Sequence, residues 1–322
     1  MKSRRLGRTG FTVSEIGFGA WGLGATMWRG VSDEQGADTV RAALDAGVTF
    51  IDTALAYGDG HSERIVGRAA PNATIATKIP PKGGGWPAQP DSNIDDVFPA
   101  AYVRACTERS IANLGRSAID VQQFHVWQDA WLEQPGWKAT RAEMEKLSAE
   151  GKVRHWGISI NDHAPETALR ALADPIFETA QVIYNVFDRS PERDLFSLAR
   201  ERDLGIIVRV PFDEGALTGA VRADTIFPEG DWRHRYFRGD RPAQAAKRAD
   251  ALRSLLGDEA KTLPELALRF ILSRPEVSTV IPGMRRPEHA RANASVSDGR
   301  TLSPALLGRL EAHAWDKNWY MD

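Results

Sequence analysis

The chain has 322 residues, of which 42% are hydrophobic and 26% are charged, a composition that is ordinary for a globular protein. Its formal net charge of -2 provides no electrostatic attraction to nucleic acid or to an anionic membrane surface. Cys106 is the only cysteine, which excludes an intramolecular disulfide and a cysteine-rich metal site.

The N-terminal segment is basic and does not predict a signal peptide. Residues 1–5 are basic, but no apolar segment follows them, so a signal peptide is not predicted. No apolar run approaches the roughly 18 residues that a membrane-spanning helix needs. We therefore expect a cytoplasmic protein without a membrane or nucleic-acid partner.

The chain begins with a predicted β-hairpin, in which residues 4–6 and 12–14 flank a turn. A strand over residues 15–18 then runs into Gly17-Phe18-Gly19-Ala20-Trp21-Gly22, which fits the G-x-G-x-x-G fingerprint of a dinucleotide-binding βαβ unit. That fingerprint requires its third glycine to open a helix, whereas residues 23–30 predict a loop. The sequence therefore argues against a Rossmann unit here.

From Ser32 onward, predicted helices and strands alternate. The predicted helices cover residues 33–46, 62–69, 100–114, 138–150, 165–173, 191–202, 242–256, 264–272 and 287–294, and a terminal helix starts at Ser303-Pro304. The strands after the first cover residues 48–51, 74–77, 119–124, 153–158, 180–184, 205–208 and 277–281, and long loops cover 80–99 and 211–241. Eight strands that alternate with helices predict an α/β fold, a closed (β/α)8 TIM barrel, in one domain over residues 1–322.

Polar residues lie at or near the C-terminal ends of six predicted strands, where such barrels carry their chemistry. They are Asp52, Lys78, His125, Ser159, Gln181 and Arg209. Tyr57 follows Asp52 in the loop beyond its strand.

Four of these residues predict an acid–base relay for carbonyl reduction. A tyrosine with a pKa of about 10 is a weak acid, and we expect the Lys78 ammonium to lower the pKa of Tyr57. Asp52 would hold the lysine charged, and His125 could orient a carbonyl oxygen or share the proton transfer. Each residue taken alone also fits an ordinary structural role. Asp52 could cap a turn, Tyr57 could cover a loop, Lys78 could be a surface lysine, and His125 could be a core histidine.

A second candidate site is the helix start at Arg285-Arg286-Pro287, which follows Gly283. Backbone N–H groups at a helix start favour an anion, and two arginines add positive charge. Arginines at a helix start are equally compatible with a solvated surface.

Several stretches follow the order of one known family. They are Arg5-Leu6-Gly7-Arg8-Thr9-Gly10 with Val13-Ser14 and Gly17-Phe18-Gly19, then Phe50-Ile51-Asp52-Thr53-Ala54 with Tyr57-Gly58 and Ser62-Glu63, then Ala76-Thr77-Lys78 and Phe124-His125. Together they resemble the aldo-keto reductase superfamily over nearly the whole chain. The resemblance implies a catalytic tetrad of Asp52, Tyr57, Lys78 and His125, with Tyr57 as the proton donor. It also implies a nicotinamide cofactor that lies extended across the barrel mouth.

The resemblance also implies the cofactor-binding positions, which are Ser159, Asn161, Gln181, Arg209, Pro211, Leu217, Gly219, Gly283, Arg285, His289 and Asn293. The last four belong to the adenosine end, where Asn293 matches the family's adenine-binding asparagine. The chain departs from the family pattern at several of them. Ile160 separates Ser159 from Asn161, where much of the family has an adjacent pair. Arg209 stands where many members stack a tyrosine on the nicotinamide. His289 replaces an arginine or glutamine, and Ala292 replaces a glutamate.

Tryptophans in or near strand-end loops are candidates for the walls of a substrate pocket. They are Trp21, Trp28 and Trp127, together with Trp86 and Trp131, and each equally fits ordinary packing. Residues 231–238 and the tail 315–320 are candidate covers of the site. Nothing in the sequence identifies one substrate or an oligomeric state.

We therefore predict an NAD(P)H-dependent oxidoreductase that acts on a small carbonyl or alcohol, with NADPH preferred and NADH possible. A cofactor-binding regulatory subunit on the same fold, similar to the potassium-channel β-subunits, is the alternative. A metal-dependent barrel hydrolase is disfavoured and no metal is predicted, because residues 17–20 contain no His-x-His motif.

Overall fold

The structure, a computed structural model, describes residues 1–28 and 30–321. Arg29, which belongs to the predicted loop 23–30, lies outside the described residues. The strands are β1 (Ser3–Arg5), β2 (Thr12–Ser14), β3 (Phe18–Gly19), β4 (Phe50–Asp52), β5 (Thr74–Ile79), β6 (Ile119–His125), β7 (Val153–Ser159), β8 (Phe177–Ile183), β9 (Gly205–Arg209) and β10 (Val277–Val280).

The α-helices lie between and after these strands. They are α1 (Asp33–Asp45), α2 (His61–Ala69), α3 (Ile94–Val97), α4 (Ala100–Leu114), α5 (Gly136–Ala149), α6 (Leu169–Leu172), α7 (Leu195–Arg202), α8 (Trp232–Tyr236), α9 (Arg241–Arg253), α10 (Leu263–Leu272), α11 (Pro287–Ser295) and α12 (Pro304–Glu311). Among the described residues, none of these helices combines the length and the apolar character that crossing a membrane requires.

Strands β3 to β10 form one eight-stranded parallel sheet in sequence order. Parallel bridges from Ile16 to Val280 and from Gly19 to Gly283 join its first and last strands. The sheet is therefore a nearly closed barrel, and the predicted (β/α)8 fold is confirmed. Strands β1 and β2 pair as the predicted antiparallel hairpin.

The hairpin covers the N-terminal end of the barrel. Leu6 and Val13 from this hairpin region pack in one buried cluster with Phe50, Val121 and Ile207 from the barrel strands. Apolar side chains thus fill the barrel from that end. The opposite end, where the strands terminate, is left to polar side chains, as is usual for catalytic barrels.

Helix capping follows the sequence signals. The Ser32 hydroxyl accepts a hydrogen bond from the Gln35 amide at 3.2 Å, and the Ser303 hydroxyl accepts one from the Leu306 amide at the same distance. These bonds satisfy amide donors that have no partner within the first turn of a helix. They explain why α1 and α12 begin where the sequence predicts.

Both long loops contain short helices that the sequence analysis missed. The loop 80–99 includes α3, whose N-cap Asn93 accepts a hydrogen bond from the Asp95 amide at 3.0 Å. The loop 211–241 includes α8, with Asp231 as its N-cap. Helices of four or five residues are too short to show the periodic apolar face on which such predictions depend.

Two predicted helices are interrupted. The helix predicted over 165–173 is a 3-10 turn at Pro165–Ala168 followed by α6, and the one over 191–202 is a 3-10 turn at Ser190–Glu192 followed by α7. Proline at the start of a predicted helix indicates a first turn but does not distinguish a 3-10 turn from an α-helical one.

We expect Gly19→Ala to destabilise the barrel where its first and last strands meet. A Cβ atom at this position would lie 2.6 Å from the backbone oxygen of Ile281, which cannot move without shifting the strand. The free energy of unfolding should fall by about 1–3 kcal/mol, the usual scale for overpacking. Urea denaturation measures this, with Gly257→Ala as the control because its added Cβ has no neighbour within 4 Å. Equal stability of the two variants would contradict the close-approach argument.

Candidate active site

Lys78 lies fully buried at the centre of the predicted tetrad. Its Nζ donates hydrogen bonds to Asp52 Oδ2 at 2.6 Å and to the backbone oxygen of Thr53 at 2.7 Å. The Tyr57 hydroxyl lies 3.4 Å from the same nitrogen. All three donors of the ammonium group therefore face an oxygen, which is the arrangement that a buried lysine charge requires.

Asp52 is held from the far side of the barrel as well. Gln181, on β8, donates from Nε2 to Asp52 Oδ1 at 2.6 Å, so both carboxylate oxygens have a partner. The resemblance assigns Gln181 to the cofactor, and in this structure its Nε2 also supports the acid–base cluster. Strand register explains the contact, because both side chains point into the barrel at its C-terminal end.

A tight loop between β4 and α2 presents Tyr57 to this cluster. The Tyr57 amide donates to the Ala54 oxygen at 3.0 Å, and the Ser62 amide donates to the Tyr57 oxygen at 3.1 Å. The loop packs closely on Gly24, where a Cβ would lie 2.9 Å from the Tyr57 carbonyl carbon. The ring is half-buried while its hydroxyl faces Lys78.

His125 completes the cluster at the end of β6. Its ring centroid lies 6.0 Å from that of Tyr57, with the two planes nearly perpendicular. Burial lowers the pKa of His125 well below its ordinary value, and the charges of Lys78 and Arg209 lower it further. The imidazole is therefore neutral at physiological pH, and one ring nitrogen carries a hydrogen that it can donate.

The expected direction of the Tyr57 pKa was wrong. Burial raises the pKa of Tyr57 well above its ordinary value, and the Asp52 carboxylate raises it further, while Arg209 opposes both. Burial also lowers the pKa of Lys78, and Asp52 opposes that shift. The Asp52 carboxylate neutralises much of the lysine charge at 2.6 Å, so little positive potential is left to favour a phenolate.

Two predicted cofactor residues near β7 differ in their contacts. Asn161 donates to the Trp127 backbone oxygen at 2.8 Å and accepts from the Ala88 amide at 3.1 Å, so it holds two loops together. The Ser159 hydroxyl is buried and has no hydrogen-bond partner within the described part of the chain. A buried hydroxyl of this kind fits a ligand's polar group better than the engaged amide does.

Arg209 lies at the end of β9, close to the tetrad. Its Nη2 donates to Asp162 Oδ1 at 2.7 Å and to the Ile160 backbone oxygen at 3.0 Å. Asp162 was missed by the sequence analysis, because it lies in a loop beyond the end of β7 and belongs to no recognised motif. The pairing of β7, β8 and β9 brings it against Arg209.

The segment from Pro211 to Gly219 has an irregular backbone and contacts the C-terminal tail. Asp213 and Glu214 have positive φ angles of 48° and 55°, and Pro211 and Leu217 are buried. Tyr320 donates to Glu214 Oε1 at 2.6 Å, and Lys317 donates to Asp213 Oδ1 at 2.8 Å. The tail therefore packs on the mouth of the barrel, one of the two placements that the sequence left open.

A cavity of about 640 Å³ adjoins this segment and lies away from the tetrad. It is lined in part by Thr218, Leu263, Pro264, Asn293 and Val296. Asn293 is the residue that the resemblance assigns to the adenine, so the cavity fits the adenosine end of a dinucleotide. The cations Arg253, Lys261 and Arg300 also line it, and the sequence analysis did not single them out.

The other predicted adenosine residues do not line this cavity. Gly283 is exposed, and the Arg285 guanidinium lies 5.2 Å from the centre of the Trp28 ring. Burial lowers the pKa of His289, and the charges of Arg286 and Arg285 lower it as well, against the opposing charge of Glu288. His289 consequently carries less charge near pH 7 than an ordinary histidine.

Aromatic side chains lie around the tetrad, and Trp127 of the predicted set is not among them. Trp21 lies 6.2 Å from the Tyr57 ring and 5.4 Å from Trp28. Trp127 does not line the site: it is completely buried and packs on Trp131 and Phe177 outside the barrel. Its position two residues after His125 suggested the mouth, but the chain turns the indole away from it.

The segment 231–238 also lies at the mouth. Trp232 lies 6.1 Å from Trp21 and 5.9 Å from Tyr320, and its amide donates to the Met27 oxygen at 2.8 Å. The segment therefore joins the first barrel loop to the C-terminal tail, which agrees with a cover rather than a solvated loop.

Known proteins resemble the chain in sequence and in structure. A sequence model of the Aldo/keto reductase family matches residues 15–314. The chain is 30% identical to the aldo-keto reductase YhdN of Bacillus subtilis, over 94% of this chain and 90% of that protein. It is 29% identical to the NADH-specific methylglyoxal reductase of Escherichia coli, over 98% of this chain and 100% of that protein. The glycerol dehydrogenase of Gluconobacter oxydans has a similar structure, with a TM-score of 0.78 and 28% identity over 97% of this chain and 94% of that one.

Glu214 predicts a pH-dependent stability. Burial raises its pKa from 4.5 to about 7, and Asp213 raises it as well. A raised carboxyl pKa stabilises the folded state fully below pH 4.5, and this contribution of about 3 kcal/mol is lost as pH rises through 7. Urea unfolding of wild type and Glu214→Gln at pH 5 and pH 8 should show a smaller loss of stability in the variant. The exposed Glu229→Gln variant should follow wild type, and parallel pH dependence in all three proteins would refute the assignment.

Proposed function

Because the chain belongs to the aldo/keto reductase family, we propose that it reduces an aldehyde or ketone to an alcohol, or catalyses the reverse oxidation, with Tyr57 as general acid or base. The observation that supports this proposal is the contact of the Tyr57 hydroxyl with Lys78 Nζ at 3.4 Å, in a cluster that also contains Asp52 and His125. A regulatory subunit has no such need for a complete acid–base cluster.

Each member of the cluster has a role that follows from its contacts. A nicotinamide cofactor, when bound, supplies or accepts the hydride. Tyr57 gives its proton to the carbonyl oxygen as that oxygen gains negative charge, and Lys78 Nζ, 3.4 Å away, can donate a hydrogen bond to the phenolate oxygen that is left. Asp52 holds Lys78 in place, and neutral His125 donates a hydrogen bond that orients the carbonyl oxygen.

The raised pKa of Tyr57 suits the reductive direction. A phenol with a high pKa is fully protonated at neutral pH, so the proton donor is present in every molecule. Oxidation of an alcohol instead requires the phenolate as base, so we expect that direction to need alkaline pH.

The chain offers groups for every part of a nicotinamide dinucleotide. We assign Ser159 and Gln181 to the carboxamide, Arg209 to the face of the nicotinamide ring, and residues 211–219 to the pyrophosphate. Asn293, in the cavity beside α11, is assigned to the adenine. The buried Ser159 hydroxyl, which has no hydrogen-bond partner among the described residues, and the cavity of about 640 Å³ support this assignment.

We expect Tyr57→Phe to lower the reductive kcat by about 100-fold or more, the usual scale for a lost general acid. The ring remains, so cofactor affinity should stay within about twofold of wild type. Steady-state oxidation of NADPH with 4-nitrobenzaldehyde and with methylglyoxal measures the rate, and fluorescence quenching measures cofactor binding.

Tyr102→Phe is the matched control, because Tyr102 lies on α4 outside the site. It loses a hydroxyl in the same way and should retain the wild-type rate. Near wild-type turnover in Tyr57→Phe would remove Tyr57 from the mechanism. Wild-type protein inactive with a panel of aldehydes and ketones would overturn the proposed activity itself.

We also propose that NADPH binds more tightly than NADH. Its additional 2′-phosphate is an anion, and the start of α11 presents backbone N–H groups together with Arg285 and Arg286. A charge-assisted hydrogen bond contributes roughly 1.5–3 kcal/mol, which corresponds to at least tenfold discrimination. The low pKa of His289 means that lowering the pH from 7 to 6 should increase the preference only slightly.

Arg285→Ala should therefore weaken NADPH binding at least tenfold and change NADH binding little. Arg291→Ala, which removes an exposed arginine from the same helix, is the control and should change neither. Equal dissociation constants of the two cofactors in wild type would contradict the proposed preference, as would an unchanged NADPH affinity in Arg285→Ala.

A further inference from the structure

One carboxylate lies between the substrate side and the cofactor side of the mouth. Asp162, whose side chain is only 2% exposed, accepts a hydrogen bond from Arg209 Nη2 at Oδ1, over 2.7 Å. Its other oxygen, Oδ2, accepts from the Trp86 indole Nε1 at 2.8 Å. Each oxygen thus holds a side chain from a different part of the chain.

On the substrate side, the bond fixes Trp86 against the tetrad. The Trp86 ring meets His125 edge to face, with centroids 4.7 Å apart and planes at 80°. The residue is 41% exposed, so its ring is accessible from the mouth of the barrel. The same stretch is held a second time, because the Ala88 amide donates to Asn161 Oδ1 at 3.1 Å. Neighbouring residues Asn161 and Asp162 thereby position this part of the 80–99 loop.

On the cofactor side, the bond fixes the plane of the Arg209 guanidinium. Its Nη2 is shared between Asp162 and the Ile160 oxygen, and Nε has no partner among the described residues. A guanidinium has a fixed planar arrangement of donors, so two contacts at one end restrict the orientation of the whole group. Arg209 also contributes to the electrostatic environment of Tyr57 and His125.

We infer that Asp162 is a positioning residue that sets the substrate preference and the cofactor orientation together. Through Trp86 it builds a flat apolar wall next to His125, which favours carbonyl compounds with an aromatic or other planar substituent. Through Arg209 it orients the group that faces the nicotinamide. The inference rests on the proposed function, because it assigns the two sides of the mouth to a carbonyl substrate and a cofactor.

Asp162→Asn keeps the shape of the side chain but removes one of its two acceptor oxygens. An aspartate offers an acceptor oxygen to each donor, whereas an asparagine offers one oxygen and one NH₂ group. The variant can therefore accept from Arg209 or from Trp86, but not from both. Trp86→Phe removes the indole donor and keeps an aromatic ring, and Arg209→Lys keeps the charge and removes the planar fork.

The experiment compares KM and kcat for 4-nitrobenzaldehyde and propanal, and the NADPH dissociation constant, in these variants. We expect Asp162→Asn to raise the ratio of the 4-nitrobenzaldehyde KM to the propanal KM at least fivefold if the contact to Trp86 is lost, or to weaken NADPH binding at least threefold if the contact to Arg209 is lost. Trp86→Phe should change only the KM ratio, and Arg209→Lys mainly the cofactor affinity. The double variant Asp162→Asn/Trp86→Phe should show no larger change in the KM ratio than the greater of the two single variants, because both act through one contact.

Asp120→Asn is the control for a merely structural loss. Asp120 is buried near the start of β6, at the end of the barrel opposite the tetrad, and pairs with Arg116 and Arg154, so its substitution should lower stability without changing the KM ratio or the NADPH affinity. Should Asp162→Asn not fold, an unchanged KM ratio in Trp86→Phe would by itself overturn the inference. Additive effects in the double variant, or an Asp162→Asn protein with unchanged KM ratio and cofactor affinity, would overturn it as well. Wild-type protein inactive with every carbonyl compound would instead reject the proposed function on which the inference rests.

Discussion

The arrangement of the site depends on the buried ion pair between Lys78 and Asp52. A lysine ammonium removed from water is costly unless it is paired and fully hydrogen-bonded, and here Asp52, Thr53 and Tyr57 supply oxygens to it. Gln181 then occupies the second oxygen of Asp52 from across the barrel. These hydrogen bonds fix the C-terminal ends of strands β4, β5 and β8 relative to one another. They also fix the position of Lys78, which the Tyr57 hydroxyl contacts.

Burial and nearby charges set the pKa values of the two residues beside this pair, Tyr57 and His125. Arg209 lies close enough to oppose the raised pKa of Tyr57 and to lower the pKa of His125, although it is itself paired with Asp162. Burial dominates these effects for both residues. The cluster therefore has a protonated phenol and a neutral imidazole at physiological pH, which are the protonation states that carbonyl reduction requires.

The mouth is completed by segments that are distant in sequence. The tail contributes Lys317 and Tyr320, which contact Asp213 and Glu214, and Trp232 links the tail to Trp21 in the first loop. The carboxylates of Asp213 and Glu214 are buried, and the tail residues Lys317 and Tyr320 donate hydrogen bonds to them only when the tail is packed on the barrel. The covering segments and the barrel are for this reason mutually dependent, and the pKa of about 7 at Glu214 is one consequence.

The sequence by itself determined the barrel, and it predicted that Asp52, Lys78 and His125 lie at the C-terminal ends of their strands. Alternation of short apolar strands with amphipathic helices is a local property, and α4 has the bounds that this pattern predicts. Only the tertiary structure decided that Trp127 packs outside the barrel, that Asp162 joins Trp86 to Arg209, and that the Tyr57 pKa is raised. The physical reason is that burial, hydrogen-bond partners and electrostatic environment depend on neighbours from other strands. Those neighbours are set by barrel closure and strand register, which no single stretch of sequence contains.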